Sequence, residues 1–127
     1  MNRIIKKVIC LGMILFFTVI SVFCFSQRVY AEDIDLNEIR DDSFRQYILS
    51  SYDADHNGKI SEAEAADVKK IDIRNKGIKS LDGIAMFPNL EELNCVNNEI
   101  TSLDMSGNPK LRSLICEEND IGYLNIA

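Results

Sequence analysis

The second half of the chain repeats one pattern of apolar positions at a fixed spacing, so that each position recurs 21 places later. Two units agree in residue type at seven key positions. The pairs are Leu90 and Leu111, Leu93 and Leu114, Cys95 and Cys116, Asn98 and Asn119, Ile100 and Ile121, Leu103 and Leu124, and Met105 and Ile126. Self-similarity at such a period indicates coils that stack on one another in an array.

A looser copy of the unit precedes these two and begins at Val68, one place further away than the strict period would put it. It places Lys76 where the later units have asparagine, and its apolar positions are Val68, Ile71, Ile73, Ile78 and Leu81. An atypical first unit is expected at the end of a stacked array, where one face has no repeat to pack against.

The shared pattern L-x-x-L-x-C-x-x-N-x-I is typical of a leucine-rich repeat. Side chains alternate along a strand, so Leu93 and Cys95 should face the core. Asn98 and Asn119 follow the strands, where a side-chain amide can satisfy backbone groups that no ladder reaches. We therefore predict an α/β protein, a short solenoid of about 2.5 repeats with parallel strands, over residues 68–127.

Cys95 and Cys116 occupy the same position in successive units and are predicted to be buried thiols. A disulfide between them is the alternative. Neighbouring strands lie ~4.8 Å apart, which permits a bridge, but parallel side-chain directions fit its geometry poorly.

Two short helices are predicted before the repeats. Phe44, Ile48 and Tyr52 recur at steps of four, which indicates an amphipathic helix with Asp42 or Ser43 as its cap. Ser61 and Glu64 form a capping box that should begin the second helix.

The twelve positions from Asp53 to Glu64 have the ligand order of an EF-hand loop. Gly58 permits the bend and Ile60 should turn to the core. The predicted Ca²⁺ ligands are Asp53, Asp55, Asn57, the Lys59 carbonyl, Ser61 through a water, and Glu64 with both oxygens. The alternative is an Asx-rich turn followed by a capped helix, with no metal.

A single such loop favours a structural site and not a sensor, and a weak affinity of ~10⁻⁴ to 10⁻³ M would suffice outside a cell. His56 falls at a non-ligand position of the loop.

The sequence has no nucleophile with a base placed beside it and no phosphate-binding glycine loop, so we expect a protein that is not an enzyme.

The segment 1–31 differs from the rest of the chain. Arg3, Lys6 and Lys7 precede an uncharged apolar run from Val8 to Phe25, and small residues stand at Val29 and Ala31. This order predicts a signal peptide over residues 1–31, cleaved before Glu32, with an uncleaved membrane anchor as the alternative.

The chain from Glu32 onward carries 10 basic and 20 acidic side chains, a net charge of −10, which disfavours nucleic acid as a partner.

Together these features resemble secreted bacterial leucine-rich-repeat surface proteins of the internalin-like type, with an EF-hand-like module at residues 32–67 that caps the solenoid. The resemblance implies a secreted or cell-surface protein of a Gram-positive-type bacterium that binds proteins or glycans without catalysis and has no membrane span after cleavage. A dockerin-like calcium-dependent docking module and the N-terminal fragment of a larger surface enzyme are the alternatives.

The binding face is predicted on the outward positions of the three strands. These are Lys70, Asp72 and Arg74, then Glu92, Asn94 and Val96, then Ser113, Ile115 and Glu117. The last unit stops within a repeat, and we expect a fragment in which Leu124 and Ile126 lie on an open edge.

Overall fold

A computed structural model describes residues 32–126, and the predicted signal peptide lies outside this range. Two helices come first, α1 (Asp42–Tyr52) and α2 (Glu62–Asp67). Five strands follow, β1 (Lys70–Asp72), β2 (Glu92–Asn94), β3 (Ser102–Asp104), β4 (Ser113–Ile115) and β5 (Tyr123–Asn125). Short 3-10 helices span Leu36–Glu38 and Ile84–Met86. Within the described range, no helix has the length and apolar character needed to cross a membrane.

One strand from each repeat unit joins a parallel sheet in the order β1-β2-β4. The register places Ile71 beside Leu93 and Leu93 beside Leu114, so the aligned apolar positions of the sequence stack directly. The predicted parallel solenoid is therefore confirmed.

A second parallel sheet pairs β3 with β5, with Leu103 beside Leu124. The sequence pattern did not predict these strands as a sheet. Each is a strand of three residues with one leucine at its centre, which is too short for alternation to be recognised. The second coil thus contributes a strand to both sheets, and so does the third.

The core is a column of apolar side chains enclosed by the coils. Ile71, Leu93, Ile100 and Leu103 are almost completely buried, and Phe44 and Ile48 of α1 extend the same cluster at the cap end. Burial decreases toward the last described coil. Leu124 is 46% exposed and Ile126 is 66% exposed.

Asn98 joins the first coil to the second. Its Oδ1 accepts hydrogen bonds from the backbone N–H of Lys76 (3.1 Å) and Ile78 (3.0 Å). Its Nδ2 donates to the carbonyls of Ile73 (2.8 Å) and Cys95 (2.9 Å). The predicted role of this asparagine is confirmed.

Asn119 repeats the arrangement one coil later. Its Oδ1 accepts from Ile100 N (3.1 Å), and its Nδ2 donates to the carbonyls of Cys95 (2.8 Å) and Cys116 (3.1 Å). Asn98 is nearly buried, whereas Asn119 is half-buried because its outer side has no coil over it among the described residues.

The two cysteines of the repeats are free thiols. Cys95 is buried, and this burial, followed by the neighbouring Cys116, raises the pKa of its thiol to about 12. The prediction that both are buried was wrong for Cys116, which is half-buried because it lies in the last described coil.

The cap of α1 is Asp41, and the prediction of Asp42 or Ser43 was wrong. One carboxylate oxygen of Asp41 accepts from Phe44 N (3.0 Å). The other accepts from the backbone N–H of Lys79 (2.8 Å) in the first coil. Asp41 therefore caps the helix and bonds to the repeats at the same time.

We expect Asp41→Ala to lower the free energy of unfolding by about 1–2 kcal/mol, the usual loss for an N-cap. Asp42→Ala is the matched control, because Asp42 is exposed and pairs with Arg45 at the surface, where such pairs contribute little. Urea denaturation measures both. Equal losses for the two variants would contradict the assignment of Asp41 as the cap.

The stability that Asp41 contributes should also depend on pH. Burial raises the pKa of Asp41, but hydrogen bonds from Lys79, Phe44 and Ser80 outweigh it and hold the pKa below the ordinary value of 3.8. A depressed carboxylate pKa stabilises the fold above the ordinary value, and this stability is lost as pH falls through the folded value. The difference between wild type and Asp41→Ala should therefore shrink below about pH 4.

Asn98→Ala should lower the free energy of unfolding by about 3 kcal/mol, since buried backbone groups in two coils lose their partners. Asn119→Ala should cost roughly half as much, because water can reach its half-buried partners. Urea denaturation of the two variants makes this comparison. An equal cost for the two variants would mean that the burial of Asn98 adds nothing to the strength of its hydrogen bonds.

Candidate metal-binding loop and repeat face

The loop between α1 and α2 is held at both ends by its own side chains. α1 ends at Tyr52, and the N–H of Asp53 still bonds to the Leu49 carbonyl (3.3 Å). Ser61 caps α2 as predicted, accepting from Glu64 N (3.2 Å), while Glu64 Oε2 accepts from Ser61 N (2.8 Å). This capping box fixes where the Glu64 carboxylate lies.

Three of the predicted ligands converge in the fold. Asp53, Asp55 and Glu64 each place a carboxylate oxygen within 4.8 Å of the others. Asp53 and Glu64 are the first and last positions of the loop, so the turn between the helices brings them together. Three negative groups at this separation repel one another unless a cation lies between them.

The backbone turns around the Asp53 carboxylate. Asp53 Oδ1 accepts from Asn57 N (3.1 Å) and Oδ2 accepts from Gly58 N (2.8 Å). His56 and Gly58 are left-handed, with φ of 57° and 80°, so glycine at the sixth loop position suits the bend as predicted.

Hydrogen bonds keep two of these carboxyl groups ionised. Burial raises the pKa of Asp53, but N–H groups of Gly58 and Asn57 outweigh it and hold the pKa below its ordinary value. The pKa of Glu64 is also lowered, first by the bond from Ser61 N. Both groups therefore carry the charge that a divalent cation requires.

The remaining predicted ligands lie at the same loop with other partners. Asn57 Nδ2 donates to Asp55 Oδ2 (2.9 Å), and Asn57 Oδ1 accepts from Lys59 N (2.8 Å). Ser61 Oγ donates to Glu64 Oε2 (2.9 Å). All are oxygen or amide groups, and the histidine at the fourth loop position does not belong to the cluster. Such a donor set suits a hard cation and not zinc or copper.

A strand-like pairing beside the loop was missed by sequence reasoning. Ile34 N donates to the Ile60 carbonyl (2.7 Å), and Glu62 N donates to the Glu32 carbonyl (2.9 Å). Asp33 and Ser61 form an antiparallel bridge there. Ile60 is fully buried, as predicted. Residues 32–34 thus brace the loop from outside, although their sequence carries no strand pattern.

The predicted binding face is the outward side of the β1-β2-β4 sheet. The register places Lys70, Glu92 and Ser113 in one row, and Asp72, Asn94 and Ile115 in the next. All nine predicted residues are exposed or half-exposed. Ile115, at 41% exposure, gives the face an apolar element.

Charges at the cap end of this face are neutralised within the chain. Lys70 Nζ lies 2.9 Å from Glu92 Oε2, and Arg74 Nε lies 2.8 Å from Asp72 Oδ1. Surface pairs of this kind contribute at most about 1 kcal/mol each. The face toward β4 instead presents Asn94, Ser113 and Ile115.

Comparisons with known proteins show that the fold is similar to that of internalins. No family model matches the chain. It is 32% identical over 68 residues to internalin J of Listeria monocytogenes serotype 4b (strain F2365), which is 54% of this chain and 7% of that protein. The chain therefore spans a small part of this relative.

Two solved structures are similar. An internalin, InlF, from L. monocytogenes str. 4b F2365 matches with a TM-score of 0.62 and 22% identity, over 76% of this chain and 33% of that chain. The functional domain of InlJ from L. monocytogenes, described as including a cysteine ladder, matches with a TM-score of 0.62 and 28% identity, over 75% of this chain and 24% of that chain. The chain is thus similar to internalins in sequence and has their leucine-rich-repeat fold.

Proposed function

We propose that the chain is a non-catalytic binding module of a secreted or cell-surface bacterial protein, and that it binds a protein ligand through the outward face of β1, β2 and β4. The observation that carries the proposal is that face: three strands in register present polar groups and one exposed isoleucine, with their opposite sides packed in the core. The similarity to internalins supports a binding role.

A mixed surface favours a protein partner over a purely anionic or cationic one. Lys70, Glu92, Asp72 and Arg74 are already paired with each other, so the net field over the cap end of the face is small. Asn94, Ser113 and Ile115 offer hydrogen bonds around an apolar contact, which is the usual composition of a transient protein interface.

We further propose that residues 32–67 form an EF-hand-like cap that binds one Ca²⁺. Asp53, Asp55 and Glu64 would hold the ion, with Asn57, the Lys59 carbonyl and a water on Ser61 completing the shell. The ion supplies charge neutralisation at a turn that otherwise gathers three carboxylates. Its binding would stabilise the fold, because an ordered site is absent in the unfolded chain.

The calcium proposal has a matched pair of variants. Glu64→Gln keeps an acceptor for the Ser61 N–H, so the capping box can form, but it removes the charged bidentate ligand. Without calcium, its melting temperature should fall slightly, because the amide nitrogen of glutamine cannot accept from Ala54 N as Glu64 Oε1 does. Asp53→Ala should lose both calcium binding and the turn around Asn57 and Gly58.

Calorimetry with millimolar CaCl₂ and the full chain measures this. Wild type should show a heat of binding and a raised melting temperature. At 1 mM calcium, a dissociation constant of ~10⁻⁴ to 10⁻³ M corresponds to about 0.4–1.4 kcal/mol of added stability. Glu64→Gln should show neither. An equal thermal shift in wild type and Glu64→Gln would rule out this loop as the site.

The binding face is tested by charge insertion at neighbouring register positions. Asn94→Arg with Ile115→Arg alters the proposed face, and Ser102→Arg with Tyr123→Arg alters the β3-β5 sheet in the same way. Each immobilised chain is incubated with an extract of extracellular proteins. A ligand of the face should be captured by wild type and the β3-β5 variant and lost by the first variant. Capture by all three would contradict the assignment of the face.

The two cysteines fit a further structural role. Cys95 and Cys116 occupy the same position in successive coils, and we propose that they are two rungs of a ladder like that described for InlJ. As thiols they pack as small apolar groups.

A further inference from the structure

β1 is the strand at the cap end of the β1-β2-β4 sheet, and its hydrogen-bonding groups point alternately to two sides. Toward β2, the Lys69 carbonyl accepts from Glu92 N (3.0 Å) and Ile73 N donates to the Asn94 carbonyl (2.8 Å). Lys70 and Asp72, the alternate residues, therefore direct their backbone groups away from β2. In an exposed edge strand such groups are a template for another chain.

Two tyrosines of α1 occupy this edge. Tyr52 Oη donates to the Lys70 carbonyl at 2.6 Å, and Asp72 N donates to Tyr47 Oη at 3.3 Å. In a parallel sheet, one residue of a neighbouring strand would donate its N–H to the Lys70 carbonyl. The carbonyl of the same residue would accept from the Asp72 N–H. The two phenol groups reproduce both bonds of that residue.

Ring contacts hold Tyr47 and Tyr52 in the positions that these two hydrogen bonds require. The Tyr47 and Tyr52 rings meet edge to face with centroids 6.0 Å apart, and the Tyr52 ring lies 6.5 Å from that of Phe87, which is fully buried. Lys76 Nζ lies 5.4 Å from the centroid of Tyr47 on the ring face. Contacts with both the core and the first coil thus fix the hydroxyl positions.

We propose that Tyr47 and Tyr52 form an edge lock, which prevents β1 from pairing with β1 of a second copy of the chain. The lock acts by occupying the Lys70 carbonyl and the Asp72 N–H. Neither hydrogen bond involves Asp53, Asp55 or Glu64.

A second copy is the occupant that fits this edge because the strand is complementary to itself. In an antiparallel pair centred on Ile71, Lys70 lies directly opposite Asp72 of the second copy, and Asp72 lies opposite Lys70. Both pairs would be hydrogen-bonded ones, since the backbone groups of these residues face the edge. Both would also place opposite charges beside each other, in addition to the pairs of Lys70 with Glu92 and of Asp72 with Arg74 within each copy. The contact is the same patch on both copies and closes as a symmetric dimer.

The first test removes the hydroxyl groups and keeps the rings. In the full chain carrying Tyr47→Phe with Tyr52→Phe, hydrogen exchange at the Asp72 amide should be about tenfold faster or more than in wild type, because its acceptor is lost. Tyr123→Phe is the control, since its ring is exposed in β5. Unchanged exchange at Asp72 in the double variant would overturn the proposal.

The second test opens the edge to a partner. Tyr47→Ala with Tyr52→Ala removes both hydroxyl groups and both rings, because a ring at position 52 would still lie beside the Lys70 carbonyl. Hydrogen exchange of the core amides checks that the fold is retained. Sedimentation velocity over a range of concentrations should detect a dimer that wild type and Tyr123→Phe do not form.

A third substitution identifies the surface used. Adding Asp72→Pro to the open variant removes the N–H that an antiparallel β1 pair requires, so the dimer should disappear. A monomeric open variant, or a dimer that persists with proline at position 72, would overturn the proposal.

Discussion

Each strand of the repeats has only three residues, so most backbone groups of a coil lie outside the strand ladders. Backbone bonds between coils satisfy part of these groups, and the structure depends on side chains for the buried remainder. Asn98 does so between the first two coils and Asn119 between the next two, through bonds to N–H and carbonyl groups of the preceding coil. Apolar stacking drives the coils together, but the asparagines fix how one coil lies on the next, because a buried unpaired amide or carbonyl is costly.

The cap meets the same constraint at the end of the array. Phe44 and Ile48 cover the apolar column, which any amphipathic helix could do. The polar groups of the first coil need more specific partners. Asp41 accepts from Lys79 N, and Tyr47 and Tyr52 bond to the outer edge of β1. The helix therefore closes the core and the sheet edge together.

The candidate metal-binding loop connects α1, which covers the core and the sheet edge, to α2, which leads into β1. Tyr52 bonds to β1, and Asp53, the next residue, is the first of the convergent carboxylates. At the other end, Glu64 fixes the start of α2, which leads directly into β1. Ordering this loop thus supports the strand that carries one end of the proposed binding face. Under the proposed function, calcium in this loop would support the binding face without direct contact with the ligand.

The sequence by itself determined the period of the coils, the inward residues, the positions of Asn98 and Asn119, the capping box of α2 and the order of oxygen-bearing side chains from Asp53 to Glu64. These features are readable because each rests on a fixed spacing along the chain: the alternation of a strand, the period of the coils or the span of one loop. Tertiary structure decided the rest. Asp41 became the cap because Lys79 N lies within reach of its second oxygen, Cys116 is half-buried because of its place in the stack, and Tyr47 and Tyr52 bond to a strand that is distant from them in the sequence. Such contacts depend on how helix and coil pack, and no local spacing records them.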